Sequence, residues 1–183
     1  DRLSGEEYDD NAINEAITKA VNLDVMSDII FKDKIYTLDP KLNGIELTSN
    51  INIKGNNCVI RKDSGYIFSI IKSDLTDVNL DSNIKNITIN NITFKHVINS
   101  FSEHSHIFTI SGASNIKINN CTFEGFRGDG IYLGSSNISG VELHNENIKI
   151  LNCKFDGLNK ENRNAISIID VDNCYIENCC FLN

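Results

Sequence analysis

A pattern of alternating apolar and polar residues recurs along this chain, most clearly in residues 115–126, NIKINNCTFEGF. Two apolar residues spaced two apart come first, an asparagine follows, and a cysteine or isoleucine and then a phenylalanine close the copy. Related copies occupy residues 85–94, 146–155 and 172–181, and the four copies close at Phe94, Phe123, Phe155 and Phe181. A pattern repeated roughly every thirty residues, with irregular insertions, predicts stacked structural repeats.

One copy predicts two short strands joined by a polar bend. Ile116 and Ile118 alternate with polar residues, which indicates a strand with one buried face. Asn119 and Asn120 separate this pair from Cys121 and the closing phenylalanine, and asparagine tolerates the left-handed backbone that a bend requires. Repetition predicts coils stacked about 4.8 Å apart, with columns of isoleucine, cysteine and phenylalanine and an asparagine ladder of Asn91, Asn120, Asn152 and Asn178. The alternative is a set of independent hairpins that look alike by chance.

The N-terminal residues predict a helix over residues 9–22. An apolar stripe recurs along one face, formed by Ala12, Ile13, Ala16, Ile17, Ala20 and Val21. Asp9, Asp10 and Asn11 are candidates for its N-terminal cap. A stack of coils exposes apolar surface and strand edges at its ends, so this helix is expected to cover the first coil. We therefore expect one domain over residues 1–183, with an N-terminal segment and capping helix in 1–27 and coils in 28–183.

The order of these features resembles a known superfamily. The acidic pair, the helix, the IIF strand at 29–31, YTL at 36–38 and SNINIKG at 49–55 resemble the N-terminal entry of pectin-lyase-like right-handed β-helix proteins. The Asn-Cys-x-Phe copies resemble the asparagine-ladder coils of the same superfamily, which includes pectate-lyase-type enzymes, polygalacturonases, alginate epimerases and phage tailspike depolymerases. The resemblance implies an all-β fold, a right-handed parallel β-helix (solenoid) with an N-terminal capping α-helix. It is less specific for the reaction, because one fold hosts many chemistries.

The third strand of each coil is expected at residues 67–71, 107–111, 130–134 and 165–169, with an outward column of Ser69, Thr109, Tyr132 and Ser167. EHSH at 103–106, RGD at 127–129 and RN at 163–164 lie just ahead of these strands. In the resembled enzymes the polysaccharide cleft runs along such a face. The candidate catalytic residues are therefore Asp129, His106, Arg127 and Arg163, and the candidate substrate-binding residues are Glu103, Thr109, Tyr132 and Ser167.

Two reactions are open at these residues. Glycoside hydrolysis needs two carboxylates roughly 5 to 9.5 Å apart. Asp129-Gly130 resembles part of the Asn-Thr-Asp-Gly segment of polygalacturonases, which implies a general acid or base at Asp129. However, Arg127-Gly128 replaces the Asn-Thr, the sequence RNA stands at 163–165 where that family has an acidic pair, and the chain contains no Gly-His-Gly.

A lyase instead needs a base and a cation that stabilises the enolate. His106 with Arg127 or Arg163 could fill these roles. Calcium is possible in a lyase, although no acidic cluster has calcium-ligand spacing, and no other metal or cofactor is expected. The structural alternative is that Asp129 forms a solvated surface ion pair with Arg127 or Arg163, which would contribute little to stability.

The net charge limits the kinds of partner that this chain can bind, and the cysteine content indicates where the protein is assembled. The net charge of −8 argues against nucleic acid and anionic membrane surfaces, and no apolar run reaches the length of a membrane span. The six cysteines lack zinc-site spacing and are expected to be reduced: Cys58, Cys121, Cys153, Cys174, Cys179 and Cys180. Those that fall in the repeat column, Cys121, Cys153 and Cys179, are expected to point into the core. Several free thiols favour a protein assembled inside a cell, such as a phage tail protein.

The resemblance therefore implies a carbohydrate-active protein that acts on or binds an extracellular polysaccharide as a lyase, hydrolase or epimerase. The alternative is a non-catalytic structural or receptor-binding segment of a phage tail or surface adhesin, a homotrimer in the phage case. Either would be extracellular or virion-associated. Since the sequence stops at Asn183 within a repeat, we expect a longer protein or an oligomer partner to cover that end.

Overall fold

The computed structural model describes residues 5–23, 25–72, 84–97, 101–158 and 162–182. Within these ranges the chain forms one helix and seventeen strands: α1 (Asp10–Val21), β1 (Ser27–Phe31), β2 (Ile35–Thr37), β3 (Ile45–Glu46), β4 (Ile51–Lys62), β5 (Phe68–Ile71), β6 (Ile84–His96), β7 (Phe108–Ser111), β8 (Ala113–Asn119), β9 (Thr122–Glu124), β10 (Ile131–Gly134), β11 (Ser136–Ile138), β12 (Val141–Leu143), β13 (Asn145–Leu151), β14 (Lys154–Asp156), β15 (Ile166–Ile168), β16 (Val171–Glu177) and β17 (Cys180–Leu182).

The strands form two parallel sheets and one hairpin. The larger sheet has ten strands. The first halves of the repeats pair in the order β6, β8, β13, β16, and the second halves pair in the order β6, β9, β14, β17. Strand β6 appears in both orders because it is long enough to contain both halves of its repeat. The smaller sheet has the order β15-β10-β7-β5-β3, and β11 and β12 form an antiparallel hairpin. Ile116 pairs with Ile87 on one side and Ile148 on the other, so equivalent residues of successive repeats are neighbours. This parallel register excludes independent hairpins for the four repeats.

The core lies between the inner faces of the two sheets. Phe94, Phe123 and Phe155 are fully buried, and their ring centroids are 5.5 and 4.8 Å apart in succession. Phe108, on β7 of the smaller sheet, packs edge-on against Phe94 at 4.6 Å. The predicted phenylalanine column is therefore confirmed, and it continues to Phe181, which is 53% exposed on the last strand.

Asparagines form the bends of the larger sheet. Asn91 and Asn120 have φ of 58° and 53°, and the Asn120 Nδ2 donates to Asn91 Oδ1 at 2.6 Å. The Asn152 Nδ2 bonds Asn119 Oδ1 at 2.9 Å rather than Asn120. A second column of left-handed asparagines, which the sequence analysis missed, precedes the first apolar residue of each repeat at Asn50, Asn86, Asn115, Asn147 and Asn173. Each repeat thus bends twice at asparagine.

Helix α1 packs against β1, β3 and β4 at the first end of the sheets and buries Ile13, Ile17 and Ala20. Asp9, one of the three predicted capping candidates, is the N-cap residue, but its side chain makes no cap hydrogen bond to the helix. Its carboxylate instead accepts from the Thr37 N–H at 2.8 Å, and the next carboxylate, Asp10, accepts from the Asp39 N–H at 2.9 Å. The two acids therefore connect the start of the helix to the end of β2 and the segment after it.

The outermost strands at the other end, β15, β16 and β17, expose apolar side chains. Ile168, which follows the predicted outward residue Ser167, is in register with the buried Leu133 but is 50% exposed because β15 is the last strand of its sheet. Cys121 and Cys153 are buried free thiols in one column, whereas Cys180 is exposed. Helix α1, the one helix in the described ranges, is too short and too polar to cross a membrane.

Candidate functional site

The smaller sheet places four side chains at one corner. Its strands are in register at Phe68, Phe108, Ile131 and Ile166. The residues two positions earlier are therefore equivalent: Tyr66, His106, Asp129 and Asn164. Backbone bonds continue through this corner, from the Ile107 N–H to Asp129 O at 3.1 Å and from the Gly130 N–H to Asn164 O at 3.0 Å. The predicted proximity of His106 and Asp129 follows from this register.

The His106 ring is buried and oriented by the backbone of Asp129. The Asp129 N–H donates to His106 Nδ1 at 3.0 Å, so Nδ1 carries the lone pair and the proton of the neutral ring is on Nε2. Burial lowers the pKa of His106, and the nearby Asp129 carboxylate partly opposes that shift. The ring is consequently neutral at pH 7, with its Nδ1 lone pair already engaged.

The Asp129 carboxylate is fully buried and only half satisfied. Its Oδ1 accepts from the Asn164 N–H at 3.0 Å and lies 3.9 Å from Arg163 Nε. Its Oδ2 is buried without a hydrogen-bond partner in the part of the chain that the structure describes, 3.4 Å from His106 Nδ1. The predicted ion pair of Asp129 with Arg163 is therefore present, but it is not solvated at Asp129, because this carboxylate is 0% exposed. A buried, unpaired carboxylate oxygen is costly to keep.

Arg163 links Asp129 to a second carboxylate. Its Nη1 donates to Glu103 Oε1 at 2.9 Å, and this pair is open to solvent, with the Glu103 side chain 56% exposed. The guanidinium therefore lies between the two carboxylates, 2.9 Å from Glu103 and 3.9 Å from Asp129.

Three rings form a stack beside this pair. The Tyr66 and His106 centroids are 6.0 Å apart, and the His106 and Tyr132 centroids 4.8 Å apart, each pair within 10° of parallel. Both tyrosines are partly exposed, whereas the histidine between them is buried. The sequence analysis missed Tyr66, although it stands two residues before Phe68, just as His106 stands two before Phe108. These rings together with Glu103, Asp129 and Arg163 are called the candidate site below.

Three other predicted residues lie outside this arrangement. Arg127 is 4% exposed, and its Nη1 donates to the backbone oxygens of Phe126 and Gly157 at 3.0 and 2.9 Å. Thr109 and Ser167 occupy the predicted outward column but are buried. Their role in binding substrate stays a prediction. Within the described ranges no three His, Cys, Asp or Glu side chains are grouped to hold a metal ion, and calcium likewise stays a prediction.

Comparison with known proteins finds similarity in structure but not in sequence. The chain matches no protein-family model and no curated protein sequence. It superposes on a candidate glycosyl hydrolase from Parabacteroides merdae ATCC 43184 with a TM-score of 0.58 and 16% identity, over 97% of this chain and 92% of that one. It also superposes on tailspike protein 3 of bacteriophage CBA120 with a TM-score of 0.50 and 15% identity, over 100% of this chain and 30% of that one. At such identities the likeness concerns the fold alone.

Proposed function

We propose that this chain forms a right-handed parallel β-helix that binds a polysaccharide at the candidate site. The parallel register of the repeats, the paired asparagines at their bends and the two structural neighbours support the fold. The right-handed sense rests on the strong preference of parallel crossover connections for that hand. The neighbours, a candidate glycosyl hydrolase and a phage tailspike, favour a carbohydrate-related or phage-tail role in a virion-associated or extracellular setting.

The observation that carries the binding proposal is the ring stack beside the Glu103–Arg163 pair. A sugar ring has an apolar C–H face and a rim of hydroxyl groups. Partly exposed tyrosines offer apolar surface and a polar tip, and binding sites combine such surface with a few placed polar groups. Here Glu103 is an acceptor and Arg163 a donor near the ring stack, since the charges of both act on His106, which lies between Tyr66 and Tyr132.

Binding without cleavage is the function that this geometry favours. The Asp129 carboxylate is fully buried and Arg127 is enclosed by backbone, so neither touches a ligand in this conformation. His106 is a poor candidate for the base of a lyase, because its Nδ1 lone pair accepts the Asp129 N–H. A receptor-binding segment of a phage tail, in which a homotrimer is expected, fits this arrangement.

One observation favours hydrolysis as a second candidate function. The unpartnered Oδ2 of Asp129, and the contact of both Asp129 and Glu103 with Arg163, suit the pair of carboxylates that hydrolysis needs. In this candidate, movement of Arg163 away from Asp129 exposes the acid, which would then act as general acid or base.

Polysaccharide binding tests the first proposal. We expect the protein to bind at least one polymer in a panel of bacterial and plant polysaccharides, and Tyr132→Ala to weaken that binding at least about tenfold, equivalent to roughly 1.4 kcal/mol. Tyr175→Ala is the control, because Tyr175 is a tyrosine that is more exposed, at 55%, but lies on β16 of the larger sheet. Absence of binding to every polymer, or equal losses for the two variants, would refute the proposal.

Product analysis tests the second candidate. Release of reducing sugar that Asp129→Asn and Glu103→Gln each abolish would establish hydrolysis. Unsaturated uronate products would show an elimination reaction instead. Binding with no product of either kind would leave the non-catalytic function as the conclusion.

A further inference from the structure

The candidate site has an unusual balance of charge for a surface expected to meet polysaccharides. The charged or titratable groups that act on His106 are Asp129, Arg163, His104 and Glu103. Arg163 is the one permanent cation in this set, and it contacts both acids, Glu103 at 2.9 Å and Asp129 at 3.9 Å. Two carboxylates thus face a single guanidinium whose charge they already compensate.

The neighbouring cations do not change this balance, because they are directed into the protein. Arg127 donates to two backbone oxygens, those of Phe126 and Gly157. Lys62 is 1% exposed, and its Nζ donates to the backbone oxygens of Leu42 and Ser64. Neither side chain can reach an anionic group on a bound ligand. The chain as a whole carries a net charge of −8, which adds a repulsive background for any polyanion.

The hydrogen-bonding capacity of the site points the same way. Glu103 presents solvent-exposed acceptor oxygens next to the Arg163 donor. A sugar hydroxyl can donate to such an oxygen and accept from Arg163 at once. Ionised carboxylate and sulfate groups only accept, so they would compete with Glu103 for Arg163 and place like charges side by side.

We propose, on the basis of the polysaccharide binding proposed above, that the candidate site selects uncharged sugar residues and rejects uronates and sulfated sugars. The Glu103–Arg163 pair acts as the selecting element. Glu103 holds the guanidinium that would otherwise bind an acidic sugar, and both members of the pair remain available to hydroxyl groups. Specificity of this kind comes from repulsion of the wrong ligand as much as from attraction of the right one.

The test compares neutral glucans, galactans and mannans with polygalacturonate, alginate and a sulfated glycosaminoglycan. We expect a neutral polymer to bind with a dissociation constant that changes less than about twofold between roughly 20 and 300 mM NaCl, since no ion pair with the ligand is screened. We expect the acidic polymers to bind at least about tenfold more weakly. An acidic polymer as the preferred ligand, with affinity that falls as salt rises, would overturn the proposal.

A charge variant sharpens the comparison. Glu103→Gln keeps the size and one acceptor oxygen but frees the charge of Arg163, so we expect a gain of affinity for the acidic polymers at low salt. Glu124→Gln is the control, because Glu124 pairs with Lys95 at 3.6 Å on the larger sheet. No gain with Glu103→Gln, or an equal gain with the control, contradicts the selecting role of Glu103. Failure to bind any polymer, neutral or acidic, would instead refute the proposed function itself.

Discussion

Truncation of Phe123 tests the stacked core quantitatively. The Phe123 ring is fully buried and touches three others, with centroids 5.5 Å away in Phe94, 4.8 Å in Phe155 and 5.1 Å in Phe108. Removing a buried phenylalanine costs about 3 to 5 kcal/mol, through lost transfer free energy and the cavity left behind. Since strands of two sheets hold the surrounding rings, the cavity cannot collapse easily, and we expect a loss of about 4 kcal/mol.

The same column provides a matched control. Phe181 stacks on Phe155 at 5.3 Å but is 53% exposed, so Phe181→Ala should cost about 1 kcal/mol, roughly the value of a single exposed aromatic contact. Urea unfolding followed by circular dichroism suits a chain without tryptophan. With a urea dependence of roughly 2 to 3 kcal/mol/M, Phe123→Ala should lower the midpoint by more than about 1 M. Equal losses for the two variants, or a loss under about 1 kcal/mol at position 123, would refute a core of stacked rings.

Three further outcomes are expected. Asn145→Ala should destabilise the protein by about 2 to 4 kcal/mol, because this buried side chain accepts from the Ala113 N–H and donates to the oxygens of Ile110, Gly134 and Asp170; urea unfolding of this variant and of Asn14→Ala, an exposed asparagine on α1, would measure the difference, and similar losses would contradict it. Burial lowers the pKa of His96 to about 4, so below pH 6.5 the unfolded chain binds a proton at this histidine that the folded protein does not. The free energy of unfolding should therefore fall by about 3 kcal/mol between pH 6.5 and pH 4 because of His96. His96→Leu should make the fall in unfolding free energy between pH 7 and pH 4 smaller, and an unchanged fall would exclude His96 as its cause. In the folded protein Cys180 should react with a thiol reagent while Cys58, Cys121 and Cys153 react only on unfolding; a fast phase that survives replacement of Cys180 and of the partly exposed Cys174 and Cys179 by serine would show that the buried thiols are accessible.

The repeats could be predicted because the alternation of apolar and polar residues, and the spacing of the closing phenylalanines, are visible in the sequence. Alternation at Ile116 and Ile118 sets which side chains face the core, and equal spacing from the closing phenylalanines sets the register that pairs Ile116 with Ile148. The second asparagine column was equally readable, since Asn115 and Asn147 each precede the first isoleucine of a repeat. It was missed because only the bend between the two strand halves was compared.

The candidate site was predictable only where it follows strand register. His106 and Asp129 stand at the same offset before paired strands, and so does Tyr66. Arg127 and Arg163 looked alike in sequence, but Asn164 is the register partner of Asp129, so Arg163 matches Gly128 rather than Arg127. Which of the two arginines points outward depends on the path of the bends, and local patterns of polarity do not encode that path.

Burial around the site could not be deduced from residue types. Aspartate is seldom fully buried without a partner, yet the Asp129 carboxylate is enclosed by the Asn164 amide, His106 and Arg163. Thr109 and Ser167 alternate with buried apolar residues as predicted, but they are themselves buried. Alternation gives the direction of a side chain, whereas its accessibility is set by what the next strand places over it.

A crystal structure with a bound oligosaccharide from the best-binding polymer tests the central claim most directly. We expect an uncharged sugar packed against Tyr66 and Tyr132, with hydroxyl groups bonded to Glu103 and Arg163. A ligand bound on the larger sheet, or an acidic sugar held by Arg163 with Glu103 displaced, would contradict the account.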